Sequence, residues 1–296
     1  MNARELVRQL KATGLGWYEG ETFHLGAALA YYSVFSIAPI LMVAVGIAGV
    51  LFGREAAEGL LIDRLTEVLG PTVAEAIVKT LSFAHTTGSG WRATVVGTVI
   101  LIVAAISVFL ELQTALNKIW QVAPKPGRGL WGVIHDRLLS FLMVLVIGLL
   151  LILALVANTT LSALSAYLPD SEWTGGHVVW EVYRWTISLL LLTLLFALVY
   201  KLLPDAKISW QCVWVGAAVT AVLFALGNFL ISLYLAHSNV ATVYGAAGSL
   251  VVILLWVYYA SQILLFGAEF TKVYADRRCI SPAPADNAIR VPVQRR

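Results

Sequence analysis

The chain has 296 residues, a formal net charge of +3, 59% hydrophobic residues and only 12% charged residues. Soluble globular proteins are about one-half apolar and one-quarter charged, so this chain has too few charges for a soluble surface. The composition excludes a soluble enzyme, a disordered protein and, with two cysteines, a secreted disulfide scaffold or four-cysteine zinc site. The weak basic balance does not indicate a nucleic-acid partner. An all-α integral membrane protein remains.

The first 20 residues precede any span and lack the continuous apolar core of a cleavable signal peptide. Leu6, Val7 and Leu10 share one face of a short helix, which we expect to lie in the membrane interface.

Six apolar stretches are long enough to cross a bilayer, which takes about 20 helical residues. Their leucine runs lack the alternation of barrel strands. The sequence predicts a polytopic membrane protein with one membrane domain over residues 1–276. Its expected spans are 26–52, 93–112, 138–164, 185–203, 213–235 and 246–270.

One long loop, residues 53–92, follows the first span and contains two amphipathic helical patterns separated by Pro71. Thr72 and Glu75 have the spacing of a capping box at the start of the second pattern. We expect an outer helical hairpin, which is either a structural cap on the bundle or a lid over an outward-facing cavity.

Basic residues set the orientation, because Lys and Arg accumulate on the cytoplasmic side. Of the 20 lysines and arginines, 15 lie in the two termini and the loops on their side. Both termini are therefore expected in the cytoplasm. Residues 277–296 combine prolines with arginines and are expected to form a disordered basic tail. This tail orients the last span or contacts anionic lipid head groups.

Polar residues inside the spans are informative, because placing them in hydrocarbon is costly. Helical spacing predicts a polar seam between the first, fifth and sixth spans, in which Pro39 removes one backbone hydrogen bond. The seam is either a solute or lipid pathway or a set of interhelical hydrogen bonds. Its members are Tyr31, Tyr32, Ser36, Pro39, Asn228, Ser232, Ser249, Trp256, Tyr259, Gln262 and Glu269.

Two carboxylates, Glu111 and Glu269, are expected at similar depth near the cytoplasmic boundary. They could flank an inward vestibule, bind a cation or relay protons. The alternative is simple interfacial pairing with nearby bases such as Lys118 or Lys272.

Small residues recur at helical spacing in the spans, as at Gly46, Gly49 and Gly53. Such spacing lets helix backbones approach closely. It predicts a compact bundle and is compatible with a homo-oligomer.

Several ordered motifs together resemble the YihY/BrkB family of bacterial inner-membrane proteins. The similarity covers about residues 20–275. The motifs are Ala27-Ala28-Leu29-Ala30-Tyr31-Tyr32-Ser33, Ala115-Leu116-Asn117-Lys118-Ile119-Trp120, Tyr200-Lys201-Leu202-Leu203-Pro204-Asp205, Val243-Tyr244-Gly245-Ala246-Ala247-Gly248-Ser249, Leu254-Leu255-Trp256-Val257-Tyr258 and Gly267-Ala268-Glu269.

The resemblance implies a six-helix protein of the bacterial inner membrane with cytoplasmic termini, and it supplies no catalytic residues. Older labels for the family are ribonuclease BN and a role in serum resistance. The sequence argues against a ribonuclease, because none of the five histidines has a partner at metal-binding spacing. It also lacks a phosphate-binding loop.

We therefore expect no enzymatic activity, no cofactor, no metal and no nucleic-acid partner. The leading hypothesis is a permease-like protein that moves a small solute, an ion or an envelope lipid. The alternative is a noncatalytic envelope scaffold that binds lipid or a partner protein.

Overall fold

A computed structural model describes residues 3–34, 36, 59, 107–125, 142, 146, 149, 153, 175–237, 248–278 and 282–291. Most of these residues are helical. In chain order the helices are α1 (Ala3–Glu19), α2 (residues 22–34), α3 (residues 107–120), α4 (Gly175–Leu202), α5 (Trp210–His237) and α6 (Gly248–Arg278). Four short strands accompany them: β1 (Val122–Pro124), β2 (Ala206–Lys207), β3 (Ala283–Pro284) and β4 (Ala288–Arg290).

Within the described part of the chain, three helical segments are long and apolar enough to cross a membrane. They are Trp185–Leu202, Trp210–Ile231 and Val251–Arg278. Helices α4, α5 and α6 cover residues 185–202, 213–235 and 248–270 of the last three predicted spans, and α4 begins ten residues before the predicted start. Helix α6 continues beyond the predicted end at Phe270. Its 31 residues span about 45 Å, longer than the hydrocarbon core of about 30 Å, so one end lies outside the core.

The first three predicted spans and the outer hairpin fall largely outside the described residues. Residues 26–34 of the first span and 107–112 of the second are helical, as are four separate positions of the third, at 142, 146, 149 and 153. Of the hairpin, only Gly59 is described, and it is helical.

The core joins α3, α4, α5 and α6 through buried apolar side chains and small residues. Helix α4 packs on α5, and α6 packs on both α5 and α1. The α1–α2 corner lies at Glu21, whose φ of 55° is in the left-handed region that commonly ends helices. Gln121, with φ 56°, occupies the same conformation after α3.

Residues 282–291 form a segment that we call the clasp. Strand β3 pairs antiparallel with β2, and β4 pairs antiparallel with β1. Further backbone bonds run from Ala285 N to Asp205 O at 2.9 Å and from Val291 N to Gln121 O at 2.9 Å. The clasp thus joins the chain after α3 to the chain after α4.

The expected disorder of the tail 277–296 is wrong for residues 282–291. The prolines there do exclude a helix, but the segment satisfies its backbone groups on strands far away in sequence. Of the five tail arginines, Arg278 lies over the Tyr274 ring and Arg290 donates to Pro282 O. Arg295 and Arg296 lie outside the described residues.

Asp286, at the centre of the clasp, gives it a pH dependence. Lys207 Nζ donates to Asp286 Oδ1 at 2.5 Å and holds the pKa of this carboxyl below its ordinary value of 3.8. A carboxyl with a lowered pKa stabilises the folded state above its unfolded pKa, and that contribution disappears as the pH falls through the folded pKa. We expect wild type and Asp286→Asn to differ slightly in thermal midpoint at neutral pH and to converge as the pH falls below 3.8 and through the lowered pKa of the folded state. A difference that widens on acidification would contradict this assignment.

Candidate functional site

Glu269 is a buried carboxylate inside the apolar helix α6. It is 8% exposed, and Gly16 of α1 lies directly against its side chain. A Cβ atom built on Gly16 would approach Glu269 Oε1 to 2.5 Å. Lys272 Nζ, one turn along α6, lies 3.6 Å from the same oxygen. The expected pairing between Glu269 and Lys272 is therefore present, but the pair is covered by a helix.

Helices α1 and α2 together follow α6 in the antiparallel direction. Gly26 of α2 lies against Gln262, and Gly16 of α1 lies against Glu269. Gln262 Nε2 also donates to Thr22 O at 3.4 Å. Because no side chain stands at the two glycines, the polar side chains of α6 reach the backbone of the covering helices. We call this contact, from Gln9 of α1 to Gln262 of α6, the α1–α6 junction.

Several polar atoms in the α1–α6 junction are buried without a partner among the residues that the structure describes. They are both amide atoms of Gln9, Trp17 Nε1 and Gln262 Oε1. Gln9 is completely buried. The ring of Trp17 packs on Phe266 of α6, with centroids 6.1 Å apart. Buried polar groups in native proteins bond to protein or to ordered water. These atoms therefore mark a polar part of the contact between α1 and α6, on the same helices as Glu269.

Sequence reasoning selected Glu269 and Gln262 but missed Gln9, Gly16 and Trp17. A signal was present. Gln9, Thr13 and Gly16 repeat at helical spacing on the face opposite Val7, and a polar and small inner face is unusual for an interfacial helix. Two apolar residues of α1 point outward, Val7 at 65% exposure and Leu15 at 54%.

The seam residues on α5 and α6 are joined by interhelical contacts. Trp256 Nε1 donates to Asn228 Oδ1 at 3.2 Å, and the Tyr259 hydroxyl lies against Gly227, where a Cβ atom would overlap it. Here the residues of the predicted seam serve helix packing.

A second buried network, which the seam did not include, lies nearer the core. The Tyr200 hydroxyl bonds Thr220 Oγ1 at 3.0 Å and donates to Leu264 O at 2.8 Å. Gly267 makes room for both hydroxyls. Polar groups in a membrane bundle commonly bond across helices in this way.

The remaining seam residues are less connected. Tyr31 and Tyr32 are exposed and meet edge to face, with centroids 5.7 Å apart. Ser36 is buried and donates to Ser33 O at 3.0 Å. Pro39 and the side chains of Ser232 and Ser249 lie outside the described part.

Glu111 is half-buried on α3. In the described ranges, no hydrogen bond or salt bridge joins it to Glu269, so a shared vestibule stays a prediction. Lys118, the expected partner of Glu111, instead binds Glu21 at 2.6 Å. No group of three or more metal-binding side chains occurs among the described residues.

Two motifs that carried the family resemblance meet in the fold. Asn117 Nδ2 donates to Asp205 Oδ2 at 3.0 Å, and Asp205 N donates to Asn117 Oδ1 at 2.7 Å. Both residues are buried. The pair joins the end of α3 to the turn after α4.

A family model of the virulence factor BrkB matches residues 16–289. The chain belongs to the BrkB family. Similar BrkB-family relatives carry the name UPF0761 membrane protein. The one from Vibrio campbellii is 30% identical over 84% of this chain and 76% of its own length. The one from Mannheimia succiniciproducens is 25% identical over 94% of both chains.

The match to the relative from Rhodospirillum centenum is 27% identical over 88% of this chain but only 56% of that protein. The chain therefore spans little more than half the length of some BrkB-family relatives. No solved structure is detectably similar to it.

Proposed function

We propose that this BrkB-family protein is a permease that moves a small solute, an ion or an envelope lipid, and that Glu269 is its titratable or cation-binding group. The observation that carries the proposal is the burial of Glu269 in an apolar helix, beneath Gly16 and beside unpaired polar atoms. Ionisable residues inside membrane segments are rare and commonly mark ion or substrate pathways.

The alternative is a noncatalytic scaffold that binds lipid or a partner protein. It is favoured by the contacts of Asn228 with Trp256 and of Tyr200 with Thr220, which give these polar residues a packing role. Under this alternative, the pair of Glu269 with Lys272 is an interfacial salt bridge and nothing more.

The proposed setting is the bacterial inner membrane, with both termini in the cytoplasm. The charge asymmetry supports this orientation, as does the gathering of basic loops at the clasp, where Lys125 and Lys207 both bind Asp286. The lipid bilayer is the expected partner of the apolar helices. Arg277 and Arg278 at the end of α6 are the described candidates for anionic lipid. We propose no enzymatic activity, cofactor or nucleic-acid partner.

The proposal is tested with purified protein in nanodiscs, against a panel of ions, sugars, amino acids and envelope lipids. A ligand that binds only the folded state stabilises it by about 2.7 kcal/mol at 100 times its Kd. We expect one ligand class to raise the thermal midpoint of wild type and not of Glu269→Gln. Flux of that ligand into proteoliposomes should likewise be lost in Glu269→Gln.

Glu19→Gln is the matched control, because Glu19 is an exposed carboxylate on α1 and undergoes the same chemical change. It should keep both the ligand shift and the flux. Undiminished flux in a folded Glu269→Gln protein would overturn the assignment of Glu269. No shift across the panel, with working positive controls, would favour the scaffold.

A further inference from the structure

The α1–α6 junction contains a line of polar atoms in need of partners. Gln9 and Gly16 are seven residues apart on α1, and Gln262 and Glu269 are seven apart on α6, so each pair is separated by about 10 Å along its helix. Gly16 contacts Glu269. The stretch from Gln9 to Gly16 on α1 is therefore continued by the stretch from Glu269 to Gln262 on α6. The line extends about 20 Å from Gln9 to Gln262, with the carboxylate of Glu269 in its middle.

Leaving these atoms unsatisfied would be costly. Each buried polar group without a hydrogen bond destabilises the fold substantially, and four such atoms lie along this one contact. Buried water commonly satisfies such groups, with about three hydrogen bonds per molecule. Gln9 and Gln262 offer amide atoms, Trp17 offers a donor, and Glu269 offers acceptors.

A single bound metal ion does not fit this arrangement. Calcium takes six to eight oxygen ligands at 2.3–2.6 Å, whereas the amide oxygens of Gln9 and Gln262 are spread over about 20 Å of helix. Among the described residues along this length, Glu269 is the buried carboxylate, and Asp276 and Glu19 are exposed. A chain of water molecules fits the distance of about 20 Å between the two amide groups. It also fits the mixture of donors and acceptors, because water can both donate and accept.

We propose that the α1–α6 junction holds ordered water along its whole length, and that this water carries protons between Glu269 and the two ends of the junction at Gln9 and Gln262. The step is a reversible proton transfer: hydronium gives its proton to the Glu269 carboxylate, which leaves water and a neutral carboxyl group. This inference rests on the proposed function in one respect, since it makes the proton the ion that a permease would couple to its cargo.

The charges around Glu269 are consistent with such a role. On α6, Lys272 Nζ lies 3.6 Å from Glu269 Oε1, and Asp276 is exposed two turns further along the helix. On α1, Arg8, Lys11 and Glu19 are exposed. Helix α5 contains no Asp, Glu, Lys or Arg. At the α1–α2 corner Glu21 binds Lys118, and on α2 His24 is exposed.

The test is hydrogen–deuterium exchange of the Glu269 carboxyl group, followed by infrared spectroscopy of the full chain in nanodiscs. Spectra are recorded over about pH 4 to pH 9. The carbonyl band of Glu269 is the one that is absent in Glu269→Gln. Wild type should exchange rapidly in deuterium oxide. Gln9→Leu and Gln262→Leu should slow the exchange about tenfold, as expected when one hydrogen-bonded step is lost.

Gly14→Ala is the matched control on α1, because a Cβ atom there meets nothing within 4 Å; it should exchange like wild type. Equal exchange rates in wild type, Gln9→Leu and Gln262→Leu, at unchanged thermal midpoints, would overturn the water path. So would the absence of any Glu269 carboxyl band. The measurement needs no transported ligand, so failure of the permease proposal in the flux assay is a separate result.

Discussion

Gly267→Ala is expected to destabilise the protein by about 2–4 kcal/mol. The added methyl group would overlap Thr220 Oγ1 and lie 2.5 Å from the Tyr200 hydroxyl. Neither neighbour can move freely. Tyr200 is completely buried and holds bonds to Thr220 and to Leu264 O. Overpacking a filled core costs about 1–3 kcal/mol, and displacing the tyrosine leaves a buried hydroxyl without a partner.

The measurement is an unfolding titration in mixed detergent micelles, with Gly14→Ala as the matched substitution. Gly14 is also in a helix but faces open space, so alanine there should be neutral or stabilise by up to about 1 kcal/mol. If both variants unfold at the same point, helices α4, α5 and α6 do not pack as described.

Asn117→Ala is expected to cost about 2–4 kcal/mol. It removes the two hydrogen bonds that join Asn117 to Asp205, and both residues are buried at the turn after α4. A double-mutant cycle with Asp205→Ala should give a coupling free energy of about 1.5–3 kcal/mol, because the bond to the carboxylate is charge-assisted.

The adjacent residue provides a sharp comparison. Lys118 binds Glu21 at only 2.6 Å, but the two side chains are 50% and 65% exposed. An exposed ion pair contributes at most about 1 kcal/mol, so Lys118→Ala should be mild despite the shorter contact. A larger loss in Lys118→Ala than in Asn117→Ala would mean that the buried amide pair does not secure this end of the bundle.

The helices were predictable where an apolar run determines them locally. Helices α4 and α5 follow directly from residues 185–203 and 213–235. The two extra turns of α6 were not predicted, because hydropathy detects the part of a helix in lipid and misses a polar continuation such as that at Lys272. The clasp was missed because Ala283–Pro284 and Ala288–Arg290 are too short to show a strand pattern.

Of the candidate site, only the part contributed by α6 was predictable from the sequence. Glu269 is conspicuous as a carboxylate in an apolar run, but its cover, Gly16, lies on a helix more than 250 residues earlier in the chain. No local pattern indicates which helix that glycine faces. The same holds for Lys118, because its partner is Glu21 at the α1–α2 corner and not Glu111 on its own helix.

The clasp also sets an order of events during synthesis. Strand β1 pairs with Arg290, a residue translated long after Val122. At ~5–20 residues per second, about 10–30 s separate the two. During that interval β1 has no partner from the clasp, and unpaired strand edges invite wrong pairings. Translation of all six described helices therefore precedes closure of the clasp, and a ribosome that stalls before residue 282 would leave both loop strands open.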